Sequence, residues 1–86
     1  MAKERGKIML KYKMIENSDG FITYQYFPEG NEDSGFLTIN KNDGTVVKQE
    51  LAKTDEFKRY FFHMLDRIED FIANKNFLDE GIVAWG

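Results

Sequence analysis

The chain has one histidine and no cysteine among its 86 residues, which removes most side-chain chemistry from the outset. Without cysteine there are no disulfides, thiolate zinc sites or thiol nucleophiles. His63 would have to act as a lone general base, and no Ser, Thr or Asp stands where it would serve as nucleophile or orienting partner. Its place beside an apolar helical stripe, next to Tyr60 on the wheel, predicts a half-buried packing residue instead. Carboxylates are the remaining candidates. Glu29, Glu32 and Asp33 crowd a polar loop, a composition that suits a divalent cation. Asp66, Glu69 and Asp70 fall on the polar face of a helix with Arg67 among them, where solvation accounts for them. Asp19-Gly20 and Asp43-Gly44 do not belong to EF-hand loops, because an EF-hand needs Asp five residues before its glycine and the chain has Ile15 and Ile39 there. The glycines are scattered at turns and form no phosphate loop, and a domain this small offers little cleft for paired catalytic carboxylates. The expectation is a protein that is not an enzyme and has no cofactor and no catalytic or metal site.

Binding chemistry has more to work with. Aromatic residues make up 15% of the chain, eight of them Phe. The net charge of −3 conceals an asymmetry: residues 1–13 hold Lys3, Arg5, Lys7, Lys11 and Lys13 against Glu4, while the rest hold seven basic and fourteen acidic groups. Residues 1–6 read as a basic, flexible arm on an acidic body.

The elements that must position these residues follow from periodicity. Residues 7–15, 21–27, 36–40 and 45–51 alternate or are rich in strand formers, and Pro28 closes the second run. Ser18-Asp19-Gly20 and Asn42-Asp43-Gly44 predict three-residue hairpin loops with glycine in the left-handed seat. That loop length sets Met14 against Tyr24, Tyr12 against Tyr26, Ile39 against Val47 and Leu37 against Gln49. A two-residue Asp-Gly loop would place Ile39 against Lys48 and turn a charge into the core. From Thr54 the period becomes 3.6. Phe57, Tyr60, Phe61, Met64, Leu65, Ile68, Phe71 and Ile72 form an apolar stripe, with Thr54 as N-cap, Asp55 paired to Arg59, and Asn74 and Asn76 as the stop. The segment from Phe77 to Trp85 is an apolar tail that packs back on the rest, a short edge strand being one form this could take. The fold expected is α+β, a single domain over residues 1–86: a four-stranded antiparallel β-meander followed by one long amphipathic α-helix on one face.

Strand parity then divides the sheet. The helix-facing positions are almost wholly apolar or aromatic. The opposite face should be polar if solvated, yet it holds Phe21, Phe27 and Phe36 together with Met9, Ile15 and Val46. Phe62 lies outside the helical stripe, so the sheet cannot easily cover it. These four phenylalanines are the candidate interface of a homodimer, unless the tail, Ile82 to Trp85, covers part of them. An alternative uses the same face as a single-stranded nucleic-acid platform, with Phe rings stacking bases and Lys11, Lys13 and Lys48 meeting phosphates; the acidic body disfavours it. An acidic inhibitor of an unidentified basic protein is a further reading.

Three segments, YFPEGNEDSGFLTINKNDG, DEFKRYFFHMLDRIEDFI and GIVAW, resemble small bacterial proteins of an uncharacterised family over essentially the full chain. That resemblance implies a bacterial protein and carries no functional residue. The strand-strand-strand-strand-helix order is similar to that of PUR-repeat and Whirly modules, which bind single strands, although no motif of either is present. No apolar run approaches a membrane span, and MAKERGK lacks the apolar core of a secretion signal, so the expectation is a cytoplasmic protein without a membrane partner.

Overall fold

The computed structural model describes residues 8–85, so the basic arm expected at residues 1–6 lies outside the described residues. Five strands and a helix follow in the order β1 (Ile8–Asn17), β2 (Phe21–Pro28), β3 (Gly35–Asn40), β4 (Val46–Glu50), α1 (Arg59–Asn74) and β5 (Glu80–Trp85). They form one antiparallel sheet in the spatial order β4-β3-β2-β1-β5. The α+β class and the meander stand. The tail is the correction: it is a fifth strand, paired with β1 from Ile8↔Trp85 to Lys13↔Glu80. Its alternation is hidden by Gly81 and by the shortness of the run, which period counting cannot separate from a packed coil.

The hairpins keep the expected register by a different route. The first closes on Asp19-Gly20, with the Ser18 N–H donating to the Phe21 carbonyl at 2.8 Å and Asn17 opposite Ile22. A bulge then absorbs Ile15, and Met14↔Tyr24 and Tyr12↔Tyr26 follow as predicted. The second hairpin closes on Lys41 to Gly44, with Gly44 at φ 78° and Ile39 opposite Val46. Here Val47 is the bulged residue, after which Thr38↔Lys48 and Leu37↔Gln49 are in the expected register. Each three-residue loop is thus an even loop plus one strand residue set aside. The pairing of Ile39 with Val47 is accordingly corrected to Val46, which packs against the core while Val47 is 52% exposed.

The helix starts later than its periodicity suggests. Thr54 is no N-cap, because its N–H and hydroxyl both donate to the Asp33 carboxylate at 2.7 Å. Residues 51–58 run as turns, Lys58 takes a left-handed φ of 63°, and Phe57 is 83% exposed, outside the stripe. Capping passes to Asp55, which is buried rather than paired with Arg59. Its carboxylate accepts the N–H groups of Tyr60 and Phe61 at 2.9 and 2.8 Å, two of the donors a helix start leaves free. The other end closes with Lys75 in the left-handed seat and the Asn76 N–H on the Phe71 carbonyl.

Because β4 and β5 are opposite edges, α1 crosses the sheet between them and packs on β1, β2 and β5. Phe61, Met64, Ile68 and Phe71 are its buried side chains, worth roughly 6–12 kcal/mol of gross burial together. They meet Leu10, Tyr12, Ile22, Tyr24, Tyr26, Leu37, Ile39 and Val83. Tyr12 and Tyr24 pack edge to face at 5.8 Å, and both reach Phe71. Buried hydroxyls are bonded: Tyr24 donates to the Leu78 carbonyl at 2.6 Å, and Tyr26 donates to Asp55 at 2.9 Å while accepting the Ala52 N–H.

Candidate functional site

The pleat that sends Leu10, Tyr12 and Tyr24 to the helix sends their neighbours to the other side, where none of the described elements lies. On that open face the cross-strand rows read Glu80, Lys13, Gln25, Phe36, Glu50; then Ile82, Lys11, Phe27; then Glu16, Thr23, Thr38, Lys48. Phe21 stands opposite Asn40 at one end. Phe21 is 46% exposed and Ile82 55%, while Phe27 and Phe36 are half-buried among their neighbours. In the middle, the Thr23 and Thr38 hydroxyls share a hydrogen bond at 2.6 Å, and Thr23 is buried.

Two shallow grooves score this face. One, of about 380 Å³, runs between Phe21, Thr23, Thr38, Val47 and Lys48. The other, of about 350 Å³, lies between Lys11, Lys13, Phe27, Glu32 and Glu80. Lys11, Lys13 and Lys48 are all exposed here, as sequence parity placed them, but Glu16, Glu50 and Glu80 share the surface with them. Lysine and glutamate in nearly equal number leave the face close to neutral, an environment that does not concentrate phosphate.

The candidate aromatics do not form one patch. Phe21, Phe27 and Phe36 share the open face, whereas Phe62 projects from α1 in the other layer, 54% exposed with its ring edge on Phe61. The tail covers neither group. As β5 it extends the sheet sideways, adding Ile82 and Ala84 to the open face and Val83 to the core. Val47 and Ile82, both exposed there, were not legible in the sequence, the first because a bulge reverses its side and the second because the register of the tail against β1 has no local signal. A lone strand of period two was the available signal for Ile82.

His63, Glu29 and Asp33, three of the residues considered for chemistry, are engaged in structure. The His63 ring lies flat on Trp85, centroids 3.7 Å apart at 14°, and Tyr60 meets the same indole edge to face at 5.6 Å. In the acidic loop, Glu29 accepts the Tyr60 hydroxyl at 2.7 Å, and burial followed by this carboxylate pushes the Tyr60 phenol up to about 12. Asp33 accepts from Thr54 and from the Lys53 N–H, and the Thr54 bonds hold its carboxyl below the usual range. Glu29 and Asp33 thus point to separate partners, and among the described residues no three His, Asp or Glu side chains converge on one point. No described helix is long and apolar enough to cross a membrane.

No protein-family model matches the chain, no curated protein resembles it, and no solved structure matches its fold.

Proposed function

We propose that the chain is a non-catalytic interaction domain that associates with a second copy of itself through the open face of the sheet. The observation that carries this reading is the placement of β5 at the edge, which leaves Phe21, Val47 and Ile82 exposed on a face already holding Phe27 and Phe36. A second copy suits the charge pattern, because a two-fold contact must be self-complementary and this face offers both lysine and glutamate, in nearly equal number. Nucleic acid suits it less well, for the same reason. Phe62, on the helix layer, lies outside this contact.

Sedimentation across a wide concentration range tests the reading. The wild-type chain is expected to pass from one copy to two, and Phe21→Asp with Phe27→Asp is expected to hold it at one copy with an unchanged circular-dichroism spectrum. A wild-type mass near 10.1 kDa at every concentration would refute it. So would a dimer that this double variant leaves intact. Titration with short single-stranded oligonucleotides at two salt concentrations separates the alternative: tight binding with a steep salt slope, weakened by Lys11→Ala or Lys13→Ala, would favour nucleic acid.

A further inference from the structure

The two edges of the sheet are built differently. β4 is five residues long, is broken by the Val47 bulge and presents Lys48 and Glu50, the devices by which edge strands avoid pairing. β5 has only one of them, a charge at its first residue, Glu80. It runs six residues against β1 without a register shift, and from Gly81 to Trp85 it carries neither charge nor proline.

One hydrogen bond orients its backbone. The Met14 N–H donates to the Asp79 carbonyl at 2.7 Å, which makes Met14 and Asp79 a bonded pair in the register that continues through β5. Bonded and non-bonded pairs alternate along an antiparallel ladder. Gly81, Val83 and Trp85 therefore turn their N–H and C=O groups toward β1, and Glu80, Ile82 and Ala84 turn theirs outward. Among the described residues, no backbone group bonds to these outward donors and acceptors.

We propose that β5 pairs edge to edge with β5 of a second copy, antiparallel about a two-fold axis at Val83. In that register the outward groups of Ile82 meet those of the second copy's Ala84, and the reverse, while Val83 faces Val83 between them. The side chains fit by size at each step. Ile82 lies against Ala84 on the open face, and Trp85 lies against Gly81 on the helix side. Moving the axis to Ile82 loses this match, setting Ile82 on Ile82 and a charged Glu80 on Ala84. The contact doubles the five-stranded sheet and keeps both helices on one side. It uses the strand edge rather than the open face, so it is independent of the association proposed above.

Amide hydrogen exchange, read residue by residue on the full chain at low and high concentration alongside sedimentation, tests it. The Ile82 and Ala84 amides are expected to slow by about tenfold or more at high concentration. The Val83 amide, bonded to β1, stays protected at both. Ala84→Pro removes one outward donor and spares the β1 ladder, so it is expected to lower Ile82 protection and leave Val83 unchanged. If that variant does not fold, the wild-type concentration dependence decides alone. Ile82 and Ala84 exchanging equally fast at both concentrations would overturn the edge pairing. Should the mass still exceed one copy, the open-face association survives that result; a single copy throughout defeats both.

Discussion

Gly35 and Gly81 stand at the two ends of one cross-strand row whose middle members are Tyr26 and Tyr12. A Cβ on Gly35 would come within 2.5 Å of the Ala52 nitrogen and the Glu50 carbonyl, both backbone, whereas one on Gly20 meets nothing within 4 Å. Gly35→Ala is therefore expected to cost about 1–3 kcal/mol or more in denaturant unfolding. Gly20→Ala should change stability by about 0.5 kcal/mol or less. Asp55 is the other residue on which much depends. Its carboxylate joins the helix start to the Tyr26 hydroxyl, so Asp55→Ala removes a cap and strips a partner from a buried phenol at once. The expected loss is about 2–4 kcal/mol, measured by thermal or urea unfolding, with Tyr26→Phe costing clearly less. Local spacing could not reveal this role. A cap ordinarily precedes its helix directly, and Asp55 reaches over the intervening Lys58, whose left-handed turn has no sequence signature.

At the scale of elements, the strands were legible because period two survives even where the loops were misjudged. Parity read in the strand interiors counts residues without saying where the odd one sits. Ile15 and Val47 carry it, as bulges rather than as turn residues. This predicts an unusual tolerance. Deleting Val47 leaves Val46 opposite Ile39 and Lys48 opposite Thr38 in an unbroken ladder, so the deletion is expected to cost about 1 kcal/mol, chiefly through lost twist. Deleting Thr38 instead sends Phe36 and Leu37 to opposite faces and is expected to prevent folding, as circular dichroism would report. The open face was visible in the same alternation, through Phe21, Phe27 and Phe36. Its extent was not, since β5 gains strand character only from its neighbour β1.

For the molecule as a whole, titration should define a broad stable range. Burial raises all four tyrosines, with Tyr60 reaching about 12. A phenol whose folded value exceeds its unfolded value of about 10 contributes stability below that pH and loses it as pH rises toward the folded value. Tyrosinate absorbance is thus expected to appear in one step with alkaline unfolding rather than as a separate earlier titration. Asp33 and Asp43 act at the other limit. Hydrogen bonds from Thr54 and Thr45 hold their carboxyls down, so their contribution is present above about pH 4 and fades as pH falls through the lowered values. Asp33→Asn should flatten the acid limb of the stability curve, measured by thermal unfolding at stepped pH.

The pairing of Ile8 with Trp85 also determines how the protein answers force. Tension applied at these two residues enters the β1–β5 ladder at one end, so its bonds are loaded one after another in a zipper rather than all together in shear. The first event on pulling should be the peeling of β5, which lifts Trp85 away from His63 and exposes the other edge of β1 while β2, β3 and β4 remain joined. Tethered through these residues, the molecule would yield softly and in two stages. A tether moved to Asp19 and Trp85, at opposite ends of the β1–β5 ladder, would instead load its bonds together in shear, and a single-molecule trace would separate the two geometries by their rupture forces.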